Sequence, residues 1–190
     1  MNKQLVLIME GPDGCGKTEI GKALAKELLI PYFKVNSEHE HWRKGKFKEA
    51  LEFDQTYISQ FLEQTGHSCI IDRAYPSESC YSAVFNRDTN QEVLDKVDET
   101  FANMETIIIL CRRSWDGYSV VEDELVESVG QLRDLDTAYE EFKDKTECSV
   151  IEMFVDKYDN DLTKQIPIIV EKIHEFRSKT RFYRAQKETV

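Results

Sequence analysis

Apolar positions along the chain follow two alternating rhythms. Unbroken short runs at Leu5–Met9, 68–72, 106–111 and 149–154 read as buried strands, and a weaker one lies near Tyr32–Val35. Between them, apolar residues recur every three or four positions. That spacing predicts helices over Lys17–Leu29 ahead of Pro31, over Phe47–Thr65 stopped by Gly66, and over Pro76–Phe85 and Gln91–Phe101. A further helix runs through Leu125, Val129, Leu132, Tyr139 and Phe142. The last is marked by Leu162, Ile166, Ile169, Val170, Ile173 and Phe176. Strands separated by helices imply right-handed crossovers, hence a parallel sheet covered on both faces. The expectation is one α/β domain over residues 1–190, a five-stranded parallel sheet flanked by helices on both faces. Ligands in such folds gather at the carboxyl ends of the strands.

The first strand breaks into Gly11, Pro12, Asp13, Gly14, Cys15, Gly16, Lys17 and Thr18, which match G-x-x-x-x-G-K-[ST]. The three glycines allow successive backbone N–H groups to turn inward around an anion. The helix that starts near Lys17 adds the positive end of its dipole. Lys17 can then reach the β- and γ-phosphates of ATP, and Thr18 can ligate Mg²⁺ through its hydroxyl. A strand before the loop and a helix after it supply the context the motif requires, so the fold expected is that of the P-loop NTPases.

Asp72 closes the third apolar run, in "SCIIDRAYPSES", close to the loop if the two strands are neighbours. A carboxylate there can bind Mg²⁺ through water or take a proton from the attacking group. Arg73 beside it can contact phosphate oxygens. The same pair could instead be a strand-end ion pair.

"EGPDGCGKT" together with "DRAYPSESCY" resembles the thymidylate kinase group of nucleoside monophosphate kinases, phage enzymes with a D-R-x-Y-P-S-E stretch especially. The second segment carries the pattern D-R-[YH]-x-x-S-x-x-A-[YF] as Asp72, Arg73, Ala74, Ser77, Cys80 and Tyr81. The resemblance implies ATP-dependent phosphorylation of a deoxynucleoside monophosphate, dTMP or a related pyrimidine deoxynucleotide, with Mg²⁺ held at Thr18 and Asp72. It implies that Asp13 holds the acceptor's 3′-hydroxyl, that Arg73 places phosphoryl groups with Ser77 alongside, and that Tyr81 lies against the deoxyribose. A 2′-hydroxyl pressed on that aromatic would lose its water partners. The family's arginine for the acceptor phosphate has only a positional substitute, Arg43, in "NSEHEHWRKGKF" (36–47), and Trp42 precedes the helix that would cover an acceptor base. Ser82 and Ala74 also depart from the family pattern. A lid is implied at about 112–124, where Arg112 and Arg113 either neutralise charge during transfer or pair with acidic neighbours. The resemblance also implies a homodimer. Two alternatives stay open: a kinase for a nucleoside or for a hydroxyl in DNA, and a P-loop ATP-binding protein that transfers to nothing.

Charge narrows the partners. A net charge of −11 does not attract a polyanion, which argues against nucleic acid and anionic membranes and suits small nucleotide substrates. The segment 177–190 goes the other way, with five Lys/Arg and one acid, as suits the C-terminal end of a helix or a docking tail. Five cysteines without a C-x-x-C pair fit a reducing compartment. No apolar run reaches the length of a membrane span or a signal-peptide core, so the expected location is cytoplasmic. His39 and His41 lack partners spaced to complete a metal site, and Glu122–Glu124 reads as a solvated acidic turn.

Overall fold

A computed structural model describes residues 4–34, 47–113, 126–155 and 162–187, without the side chains of 47–54, 162–163 and 179–187. Trp42, Arg43, His39, His41, Leu125 and the stretch 114–124 lie outside the described residues.

Five parallel strands form the sheet: β1 (Val6–Glu10), β2 (Tyr32–Lys34), β3 (Cys69–Asp72), β4 (Thr106–Arg113) and β5 (Ser149–Val155). Their order is β2-β3-β1-β4-β5, so β1 and the loop after it lie at the centre. The helices are α1 (Lys17–Leu28), α2 (Phe47–Thr65), α3 (Tyr75–Phe85), α4 (Gln91–Asn103), α5 (Val129–Lys145) and α6 (Leu162–Lys187). This is the predicted P-loop NTPase-like architecture.

Alternation along β1 divides the core. Leu5, Leu7 and Met9 join Ile20 and Leu24 of α1 and Ile166, Ile169 and Ile173 of α6 on one face. Val6 and Ile8 join Leu62 of α2 and Leu94, Val97 and Phe101 of α4 on the other. Alternate residues of a strand point to opposite faces, so a strand buried on both sides has to be apolar at every position. That is why "LVLIM" and "TIIILC" carry no polar interruption. Helix α5 opens with a capping box: Ser128 accepts from the Gln131 N–H while the Gln131 side chain reaches back to the Ser128 N–H.

Strand β4 runs two residues past the apolar stretch that predicted it. Arg112 and Arg113 therefore belong to the ladder, opposite Phe154 and Val155 of β5, instead of opening a lid at 112. Helix α6 likewise continues well beyond Phe176, to Lys187.

Candidate active site

β1 ends at Glu10, and the chain turns through Gly11 at φ 129. A Cβ there would run into the backbone oxygen of Cys111, so the loop can cross β4 only at a glycine. Gly14 and Gly16 are left-handed, at φ 72 and 75. The first bond within α1 is from the Ile20 N–H to the Gly16 carbonyl, 3.0 Å. The N–H groups of Lys17, Thr18 and Glu19 precede it, and Gly16 has no side chain with which to cap them. An open helix start under a glycine-rich turn is a seat for phosphate.

Lys17 is buried, and its ammonium donates to the Pro12 carbonyl at 2.6 Å. Burial pulls its pKa down, Arg73 nearby pulls the same way, and Asp13 opposes both. A phosphate arriving in the loop supplies the anion that this ammonium lacks.

Asp72 lies opposite Met9, which brings the end of β3 beside the loop. The Thr18 hydroxyl donates to Asp72 Oδ2 at 2.6 Å, and the Tyr32 hydroxyl donates to the same oxygen at 2.6 Å. A hydroxyl and a carboxylate are hard oxygen donors of the kind Mg²⁺ takes when phosphates and water complete its shell. Among the described residues no cluster of three or more His, Cys, Asp or Glu could hold a metal unaided. The Thr18–Asp72 pair fits a magnesium that arrives with a nucleotide.

Arg73 adopts φ 69, an unusual backbone for a non-glycine residue and one that concentrates at functional sites. Its N–H donates to the Met9 carbonyl at 3.1 Å. Its guanidinium pairs with Asp13, donates to Ser77 Oγ at 3.1 Å, and stands 5.2 Å from the centre of the Tyr81 ring. The Tyr81 hydroxyl donates to the other Asp13 oxygen at 2.7 Å. The structure therefore brings Asp13, Arg73, Ser77 and Tyr81 together beside the phosphate loop.

Two further residues were not picked out from sequence. Glu10 is fully buried and accepts from the Ala74 N–H at 2.7 Å, Ser77 Oγ at 2.6 Å and the Tyr139 hydroxyl at 3.0 Å. Burial pushes its carboxyl above the usual glutamate range, against the pull of Arg73 and these donors. Its signal was an acid closing an otherwise apolar strand. Gln55 of α2 is also buried, and its amide oxygen has no hydrogen-bond partner among the described residues. Gln4 donates to the Leu62 carbonyl at 2.8 Å, which ties Leu62 to the start of β1.

Arg112 is held elsewhere. It forms a double hydrogen bond with Asp136 of α5 at 2.8 and 2.7 Å, reaches Glu152 at 3.2 Å, pairs with Glu140, and lies 5.3 Å from the centre of the Phe154 ring. Of the two readings open from sequence, this geometry matches the ion pair. Arg113 ends β4, half-buried.

The sheet order, the glycine-rich turn and the Lys17–Thr18–Asp72 grouping define a nucleotide-binding P-loop fold. A family model, ATPase family associated with various cellular activities (AAA), matches residues 7–116, and the chain belongs to that family. No curated protein matches the sequence. Among solved structures, the chain is similar to the YorR protein of Bacillus subtilis in complex with phosphorylated GDP (21% identity, 90% of this chain and 98% of that one, TM-score 0.64). It is also similar to thymidylate kinase from Candida albicans (13% identity, 90% and 94%, TM-score 0.61). A third is deoxyadenosine kinase from M. mycoides with bound dATP (18% identity, 89% and 99%, TM-score 0.61). At these identities the likeness is one of fold. No helix among the described residues is long and apolar enough to cross a membrane.

Proposed function

We propose that the chain is a single-domain kinase that passes the γ-phosphoryl group of ATP to a deoxynucleoside monophosphate, dTMP or a related pyrimidine deoxynucleotide. The observation that carries this reading is the Asp13–Arg73–Tyr81 unit beside the phosphate loop. Its carboxylate can accept a sugar hydroxyl, its guanidinium can grip phosphoryl oxygens, and its phenol ring walls the space around C2′. The nucleotide kinases among the structural neighbours support it.

Thr18 and Asp72 would hold a magnesium that arrives with ATP, and the ion would supply neutralisation of phosphate charge. Lys17 and the open N–H groups of α1 fix the β- and γ-phosphates, and Arg73 orients the acceptor. Catalysis is positioning and electrostatic stabilisation, with little covalent work for the protein.

A second reading, in which the acceptor is a nucleoside hydroxyl, is supported by the deoxyadenosine kinase among the structural neighbours. The test is ADP release from Mg–ATP with deoxy- and ribonucleoside monophosphates, nucleosides and a DNA oligonucleotide, with products identified by mass. A diphosphate formed from a deoxynucleotide supports the first reading, and a monophosphate formed from a nucleoside supports the second. ADP release that no acceptor stimulates would sink both.

A further inference from the structure

We propose that Tyr32 is a positioning residue that fixes Asp72, and through it the Thr18–Asp72 pair, for magnesium. The proposal rests on the nucleotide-binding reading above. In edge strand β2, Tyr32 lies opposite Ile70, and Lys34, two positions on, lies opposite Asp72. Residues two apart share a face of a sheet, so the phenol lies on the same face as the carboxylate and one step below it. The length of the ring spans that step and delivers the hydroxyl to Asp72 Oδ2 at 2.6 Å. Thr18 donates to the same oxygen from α1. Two donors on different elements thus hold one carboxylate oxygen.

Helix α1 is cut away to let the ring through. A Cβ at Gly21 would come within 2.9 Å of Tyr32 Cε2 and 3.1 Å of Met9 Cγ. Glycine is a poor residue for a helix interior, so its presence here goes with the space the tyrosine occupies. Packing alone does not call for the hydroxyl, since phenylalanine would fill the same notch. Only the O–H addresses Asp72. Magnesium tolerates little departure from octahedral geometry, and groups that orient a metal's ligands commonly govern affinity.

The experiment is Mn²⁺ binding, read by electron paramagnetic resonance, to the full chain with ADP, which permits no turnover. Wild type, Tyr32→Phe and Gly21→Ala are compared, with metal-free ADP affinity and thermal melting alongside. The expected result is Mn²⁺ held about 10-fold more weakly by Tyr32→Phe, with unchanged ADP affinity in chelator. Gly21→Ala, which displaces the ring, should weaken Mn²⁺ in the same direction. Equal Mn²⁺ affinity in Tyr32→Phe and wild type overturns the proposal and leaves the kinase reading untouched. An equal loss of metal-bound and metal-free ADP also overturns it, because it marks a purely structural tyrosine. No retention of Mn²⁺ by wild type with ADP overturns both readings.

Discussion

Two arginines stand at the carboxyl ends of β3 and β4, on either side of β1, and they are held in opposite ways. Arg73 sits on a strained backbone at φ 69, faces Asp13, and lies over the Tyr81 ring next to the phosphate loop. Arg112 lies flat in a regular strand and meets Asp136, Glu140 and Glu152. Three carboxylates around one guanidinium leave a negative surround, which repels phosphate. Arg73 is paired directly with one carboxylate, which it shares with a tyrosine, while Glu10 acts on it without an ion pair, so its guanidinium can turn to an anionic substrate. On the proposed function, Arg73 serves transfer because its partner is exchangeable, while Arg112, held by several acids, staples strand to helix.

This contrast can be broken by substitution. The reference point is Lys17, where Lys17→Met should lower transfer by about 10³, measured as kcat/KM for ADP formation. Arg73→Ala should cost about 10² in kcat while the melting curve stays near wild type. Arg112→Ala should do the reverse. It leaves transfer close to wild type and lowers stability by about 3 kcal/mol, because the buried double hydrogen bond between Arg112 and Asp136 is broken; denaturant unfolding reads this. If Arg112→Ala abolishes transfer in a folded protein, the division of labour fails.

Glu10 sharpens the comparison by pH. A carboxyl whose folded pKa is raised holds its proton more tightly in the folded state. Its contribution to stability is full below the unfolded pKa and is lost as pH rises through the folded one. Glu10→Gln should therefore flatten the fall of stability over that window, as seen in melts across the pH series. Its amide can still accept from the Ala74 N–H and donate to the hydroxyls of Ser77 and Tyr139.

The smallest effect lies far from both arginines. Leu29, left-handed at φ 55 and 89% exposed, caps α1 with its N–H bonded to the Ala25 carbonyl. Leu29→Gly should stabilise the chain by about 1 kcal/mol, since glycine takes that backbone without the steric penalty of a leucine. A calorimetric melt checks it.

What the sequence disclosed depended on distance along the chain. The phosphate loop is eight contiguous residues between a strand and a helix, and its physics can be read from composition. The sheet was legible because a strand buried on both faces must be apolar throughout. The pairing of Asp13 with Arg73 spans sixty residues and depends on β3 lying beside β1, which spacing alone does not state. Glu10 was hidden because it closes an apolar run, and Gln55 because a glutamine on a helix ordinarily faces water. Tyr32 lay in the weakest strand. The resemblance implies a lid from about 112, after the apolar run stops at Cys111, and Arg112 and Arg113 fall within it. The ladder with β5 continues, since Asp136, Glu140 and Glu152 supply the charge that lets an arginine stay in a strand.

The most direct measurement follows labelled γ-phosphate from ATP in the presence of dTMP or a deoxynucleoside, with wild type and Arg73→Ala side by side. The account predicts label on the acceptor with wild type and about 10²-fold less with Arg73→Ala. Label found only in inorganic phosphate, at the same rate with and without acceptor, would contradict it.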